Sequence, residues 1–191
     1  MSAIYVNSIK DKTNTRELAI DSGSAWSWGS GVPAGTVLQV VSTETNSRAT
    51  YSNFFATTTA WQDLMSLSIT PSAESSKVLV LVSCAVGTNS LGWAGRILQA
   101  GSTVADHLGS PTSSSRTHIT FGTVPYAVND DEIATANYTG LFSPSSTSAV
   151  EYKVQGAGRG DSWSFNRCED GTDSYGRADA VSTLTLMEIQ G

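Results

Sequence analysis

At 191 residues the chain is long enough for one good core, or for one domain and an arm. Its formal net charge of -6 argues against nucleic acid as the main partner and leaves carbohydrate and protein partners open. Only 15% of the residues are charged, and Ser and Thr supply about a quarter of the chain, the profile of an extracellular or virion β protein rather than a helical enzyme.

Residues 1–35 read as an arm ending in a Gly-rich linker. Ile4, Val6 and Ile9 mark a short strand, Lys10 to Glu17 is polar, and Leu18-Ala19-Ile20 is a second apolar patch. Trp26 and Trp28 follow among small residues, too few to build a core of their own. They are expected to dock on a surface, whether of the main domain, a sister subunit or a larger particle. The first ten residues lack the basic region and long apolar core of a secretory signal. No apolar run approaches the roughly eighteen residues of a membrane span. Synthesis in the cytoplasm, without membrane insertion, is the expectation. Gly29 to Gly35, with Pro33, is linker by composition.

The compact domain, residues 36–191, opens with strand candidates at Thr36–Ser42, Arg48–Ser52 and Met65–Ile69, the last ended by the turn Thr70-Pro71-Ser72. Ser76 to Val86 then organises the rest. Its branched apolar residues are too dense for a helical period. Read at period two, Val78, Val80, Val82, Cys84 and Val86 share one face, and Leu79, Leu81 and Ala85 the other. Both faces want cover, so this is a central strand whose second face meets another layer of the chain or a neighbouring copy. Leu91–Leu98 offers Leu91, Trp93 and Ile97 to one side. Arg116–Phe121 alternates with Thr117, Ile119 and Phe121 inward, and Ile133–Phe142 carries Tyr138 and Phe142 together. Ala149–Gln155 is the cleanest amphipathic strand, with Val150, Tyr152 and Val154 in and Glu151, Lys153 and Gln155 out. Trp163 and Phe165 mark a short strand, Arg167–Asp179 a charged loop, and Val181–Ile189 the last strand. Many short strands and no convincing helix give an all-β, antiparallel β-sandwich, with a jelly roll the expected topology.

Chemistry finds little support. No G-x-S-x-G elbow occurs, His107 and His118 are the only imidazoles, and His118 alternates outward on its predicted strand; no catalytic residue is expected. Cys84 and Cys168 are most simply free thiols. The histidines and cysteines lie too far apart for a zinc spacing. Glu169–Asp173, with Asp161 and Asp179, offers oxygen ligands that calcium would accept, but it matches no calcium loop position by position, and a hydrophilic loop is the plainer reading. No cofactor is expected. Arg159-Gly160-Asp161 spells an integrin-type tripeptide that a Gly-rich turn produces by chance.

The segments Gly35–Ser42, Ile69–Ser72 leading into Ser76–Val80, Thr147–Gln155 and Ser182–Ile189 resemble, in that order, a family of virion structural proteins. These are found in tailed bacteriophages, especially marine and cyanobacterial ones, and are tail-fibre-like. The resemblance covers Gly35 to the end, and Ile4–Ile9 and Trp26–Ser30 are similar to the attachment segments of the same proteins. It implies a jelly-roll head of the trimeric, tumour-necrosis-factor-like kind, with Val78, Leu79, Val80 and Leu81 at the trimer contact. Ile4, Val6, Ile9, Trp26 and Trp28 would fasten the arm to other virion proteins of tail or capsid. The loop holding Asn166, Arg167, Asp170, Asp173, Tyr175 and Arg177 would meet a host-surface glycan or protein; Cys168 departs there from the small polar residue expected. The implied function is a non-enzymatic, homotrimeric tail fibre or spike located in the virion. The alternative is a capsid-decorating head fibre, or a connector without receptor binding.

Overall fold

A computed structural model describes residues 8–10, 17–20, 26–28, 32–52, 61–88, 92–104, 107–109, 118–123, 132–158, 162–168, 175 and 177–191; for 8–10, 17–20, 26–28 and 123 it describes the backbone alone. Among the described residues every strand pairing is antiparallel and there is hardly any helix. β1 (Ser8–Lys10), β2 (Glu17–Ile20) and β3 (Trp26–Trp28) form a small sheet of the arm. The remaining strands form an all-β sandwich of two sheets.

One sheet is built from β4 (Val37–Thr45), β5 (Ala49–Tyr51), β7 (Lys77–Thr88), β11 (Ala134–Phe142), β13 (Trp163–Phe165) and β14 (Ser182–Ile189). β7 runs through its middle. Val86 pairs with both Phe165 and Ala134, and Ser83 with both Thr183 and Asn137, so β13 and β14 share one edge of β7 while β11 takes the other. The sheet is therefore four strands wide, ordered β4–β14–β7–β11, with β5 and β13 extending the first two positions. The second sheet is ordered β6 (Gln62–Ile69), β12 (Val150–Gly158), β8 (Trp93–Gln99), β10 (Phe121–Thr123), with β9 (Ser102–Thr103) beside β8.

Period-two alternation decides which side chains meet between the layers. Val78, Val80, Val82, Cys84 and Val86 of β7, Leu184 and Leu186 of β14, and Val150, Tyr152 and Val154 of β12 all turn inward and are buried. Glu151, Lys153 and Gln155 alternate outward as their polarity requires. Both cysteines are free and buried, and burial pushes the Cys84 thiol up to about 12. One end of the core is aromatic: Trp93 meets Phe121 edge-on at 5.4 Å and Trp163 at 6.0 Å. Gly95 and Gly156 pair across β8 and β12 and leave the room the Trp93 ring takes; a Cβ at either would stand 2.6 Å from that ring.

The strand expected over Arg116–Phe121 begins later. Ile97 N–H donates to Thr120 Oγ1 at 3.1 Å and Thr120 N–H to Gly95 O at 2.9 Å, so the β8 edge is closed by a turn and the ladder starts at Phe121. His118 thus lies ahead of the strand, partly buried, with Nε2 shut from solvent and without a hydrogen-bond partner among the described residues. Thr117 lies outside the described residues.

At the far end, Glu188 points into the sandwich at 1% exposure. Its Oε1 accepts from Ser72 N–H (2.7 Å), Ser72 Oγ (2.6 Å) and Ser76 Oγ (2.7 Å), and its Oε2 from Gln39 Nε2 (2.7 Å). Burial, the largest single influence, raises the carboxyl. The hydrogen bonds from Ser72, Ser76 and Gln39 together outweigh it and hold Glu188 below the usual carboxylate range. The residue staples β14 and β4 to the β6–β7 turn.

Candidate association face and loop site

The two sheets turn very different faces outward. On the β6–β12–β8 side four outward residues form one polar network, with Leu98 opposite Lys153 and Ala94 opposite Ala157 on the same side. Lys153 Nζ donates to Asp63 Oδ2 at 2.8 Å, Gln155 Nε2 to Asp63 Oδ1 at 2.5 Å, and Arg96 Nε to Gln155 Oε1 at 2.7 Å. The Arg96 guanidinium lies 4.3 Å over the Trp61 ring. Hydrogen bonds from Gln155 and then Lys153 hold the Asp63 carboxyl low. The network itself is suited to water.

On the β4–β14–β7–β11 side the register lines up a different set. Val40, Met187, Leu79 and Leu141 stand directly opposite one another across all four strands. Val37 and Ile189 flank this row on one side and Leu81 on the other, where Ser42, Thr185 and Thr139 complete the next row. Val37, Val40 and Leu141 are 48%, 53% and 51% exposed. Charge is confined to the ends, with Lys77 beside Ile189 and Glu44 two rows beyond Val40. Covering the exposed part of each of these side chains is worth on the order of 1 kcal/mol.

Of the four residues expected at a trimer contact, Leu79 and Leu81 stand on this outer face. Val78 and Val80 do not: each is 0% exposed and faces the other sheet, because alternation sends them to the opposite side. Val37, Val40, Leu141, Met187 and Ile189 belong to the face instead. They come from three separate strands, and only the strand register, which the sequence does not spell out, joins them.

The loop expected to meet a receptor is held by Asn166, which is not at its surface. Asn166 is 0% exposed with φ of 58°. β13 ends at Phe165 and β14 starts at Ser182, leaving Ala85 of β7 without a strand partner on that edge. Asn166 N–H donates to Ala85 O at 2.9 Å, and Ala85 N–H donates to Ser182 Oγ at 2.9 Å. The Ser182 hydroxyl in turn donates to Asn166 Oδ1, while Asn166 Nδ2 donates to Thr45 O at 2.9 Å and Ser47 O at 3.0 Å. Every polar group of Asn166 is used internally, so it leaves the receptor-facing set. Arg167 and Asp179 form an isolated antiparallel backbone bridge, and the Asp179 carboxylate pairs with Arg48 at 3.0 Å. Tyr175 is fully exposed and Arg177 partly buried; Asp170 and Asp173 lie outside the described residues. Beside the Asn166 anchor, Glu44, Thr45, Asn46, Ser47 and Val181 line an open polar hollow of about 360 Å³. Sequence reading missed it, since it is formed where the β4–β5 turn meets Val181 just ahead of β14, and none of these residues stands out in the sequence.

Of the expected attachment residues, Ile4 and Val6 lie outside the described residues, Ile9 is in β1, and Trp26 and Trp28 are in β3. Of the imidazoles, His107 stacks on Phe142 at 3.6 Å and bonds Tyr138 Oη through Nδ1. No protein-family model matches the chain, and neither does any curated protein.

Proposed function

We propose that the chain is a non-enzymatic virion structural protein: a homotrimeric tail-fibre or spike appendage, fastened to other virion proteins by its arm and meeting the host surface with its head. The observation that carries this reading is the contrast between the two outer faces, one a polar network and the other an apolar band centred on Leu79. A lone head in water gains nothing from the band, whereas sister copies gather its burial energy when they close on it.

The head is a jelly roll of the tumour-necrosis-factor-like type in this proposal. The strand orders support it. Numbering the strands at the eight positions across the two sheets, β4, β6, β7, β8, β10, β11, β12 and β14, as one to eight, the sheets run 1-8-3-6 and 2-7-4-5, the order two nested Greek keys produce. Binding works by avidity: three weak sites per head, and several heads per particle, hold firmly without any single tight contact. Tyr175 and the hollow behind Asn166 are the parts of the head chemically suited to a surface glycan.

Immunogold labelling of intact particles tests the reading. Label on the tail, with adsorption blocked by the purified head, is the expected result. Label on the capsid with unaffected adsorption would replace the appendage with a decorating protein, and a purified protein that is monomeric at micromolar concentration would remove the trimer.

A further inference from the structure

In the core the aromatic rings touch in sequence. Tyr51 lies against Trp163 at 4.6 Å, Trp163 against Trp93 at 6.0 Å, Trp93 against Phe121 at 5.4 Å and Phe121 against Tyr138 at 5.7 Å. A single phenyl ring therefore separates the two core tryptophans from Tyr138. Tyr138, Gly140 and Phe142 occupy alternate positions of β11, on the side that faces the other sheet. A Cβ at Gly140 would overlap Tyr138 Oη, so the phenol lies along its own strand over the glycine. There Oη comes within 2.5 Å of His107 Nδ1. The imidazole is fixed in turn by stacking on Phe142 at 3.6 Å and by its backbone N–H, which donates to Val104 O at 3.0 Å. Tyr152, the next ring beyond Phe142, has its Oη buried and without a hydrogen-bond partner among the described residues.

We propose that this line of rings carries an oxidising equivalent from Trp93 and Trp163 to Tyr138, with His107 as the proton acceptor, and so spares the core tryptophans. The idea goes beyond the appendage reading and does not depend on it. The starting event is ultraviolet photoionisation of a core tryptophan, with dissolved dioxygen taking up the ejected electron. Trp93 Nε1 is buried and has no hydrogen-bond partner among the described residues, so the indole radical cation keeps its proton and stays strongly oxidising. One electron then passes from Tyr138 to the indole as the phenol O–H bond breaks and its proton moves to His107 Nδ1. The products are a neutral tryptophan, a neutral tyrosyl radical and an imidazolium. The acceptor matters because a phenol that lost its electron and kept its proton would be a cation in an apolar setting, which is costly. Tyr152 lacks an acceptor, and burial pushes its hydroxyl further from ionisation, so the oxidising equivalent has no resting place there. Cys84 is held as the thiol by burial, which makes it a poor donor. Tyr138 is only partly buried. A small-molecule thiolate restores it by giving one electron and becoming a thiyl radical, while His107 returns the proton.

The test irradiates the full chain in the tryptophan absorption band in air-saturated buffer. Electron paramagnetic resonance of the frozen solution reads the radical, and peptide mass spectrometry reads kynurenine at each tryptophan. Tyr138→Phe removes the phenol and His107→Phe the acceptor, each leaving a ring in place, and near-ultraviolet circular dichroism checks their packing. A tyrosyl signal is expected in the wild type, lost in Tyr138→Phe and strongly weakened in His107→Phe. Kynurenine at Trp93 and Trp163 should rise several-fold in both variants and stay unchanged at Trp61. A wild type with no tyrosyl signal overturns the proposal whatever the variants do. So does a signal that survives Tyr138→Phe, since it would then rest on Tyr51 or another tyrosine. Equal kynurenine in all three chains overturns the protective role, and an undiminished signal in His107→Phe takes the histidine out of the step.

Discussion

Replacing Asn166 by Ala separates a clamp from a receptor contact. The substitution removes three side-chain hydrogen bonds, to Thr45 O, Ser47 O and the Ser182 hydroxyl, at a position fully shielded from water. At about 1 kcal/mol per bond the loss is about 3 kcal/mol. Ala also tolerates the φ of 58° less well than Asn, which adds about 1 kcal/mol. The total, about 3–5 kcal/mol, is a large share of the 5–15 kcal/mol typical of a domain, and corresponds to a fall in Tm on the order of 10 °C. Asn166→Gly keeps the same bond losses without the Cβ penalty and should be the milder variant by about 1 kcal/mol. Thermal unfolding by circular dichroism of both variants, beside host adsorption below their melting temperatures, measures it. Wild-type stability for Asn166→Ala together with lost adsorption would refute the clamp and return the residue to the receptor-facing surface.

Glu188 makes stability depend on acid: its carboxyl titrates lower in the folded chain than in the unfolded one. The contribution is therefore complete above the ordinary value of 4.5 and lost as pH falls through the lower folded value. Urea unfolding between pH 3 and 7 should show that acid limb in the wild type and a flatter one in Glu188→Gln, which is less stable at pH 7; superimposable profiles would show the carboxylate to be idle. Gly156→Ala sets a Cβ 2.6 Å from Trp93 Nε1 and 2.9 Å from Leu64 Cδ1, and should lower stability by about 1–3 kcal/mol with a changed near-ultraviolet tryptophan spectrum. Leu79→Asp with Leu141→Asp should leave the head folded and turn the proposed trimer into monomers by sedimentation; a trimer unchanged by the substitutions would take the band out of the interface.

Strands were legible wherever one residue in two met water. β12 declares itself because Glu151, Lys153 and Gln155 are polar on the side that faces solvent, and β14 because Leu184 and Leu186 alternate with Thr183 and Thr185. β7 was legible as a strand but not as to its sides, since Val78 and Leu79 are equally apolar. Phe142 and Leu186, arriving from distant strands, decide which side becomes core. Asn166 was misplaced for a related reason. A polar residue opening a charged loop reads as solvated, and the two features that bury it are tertiary: the gap in the ladder at Ala85, and the Ser182 hydroxyl 16 residues on. Arg116–Phe121 alternated convincingly, yet the Thr120 bonds to Gly95 and Ile97 took precedence over strand pairing.

The difference between the two outer faces also bears on the proposed association. The ion pair of Lys153 with Asp63 is exposed, and pairs of that kind contribute about 0–1 kcal/mol, so the polar face keeps the head soluble more than it keeps it folded. The band contributes little to the fold either, because its residues lie outside the core, and its burial energy is realised only when another surface closes on it. A row matched in register across four strands drawn from all parts of the chain is not an accident of local composition: Val40, Leu79, Leu141 and Met187 are separated by up to 147 residues, yet stand side by side. Changing any one of them to Ser should weaken association several-fold while leaving the unfolding midpoint of the dissociated head nearly unmoved. A row whose members instead shift the midpoint and spare association would be part of the fold and no interface.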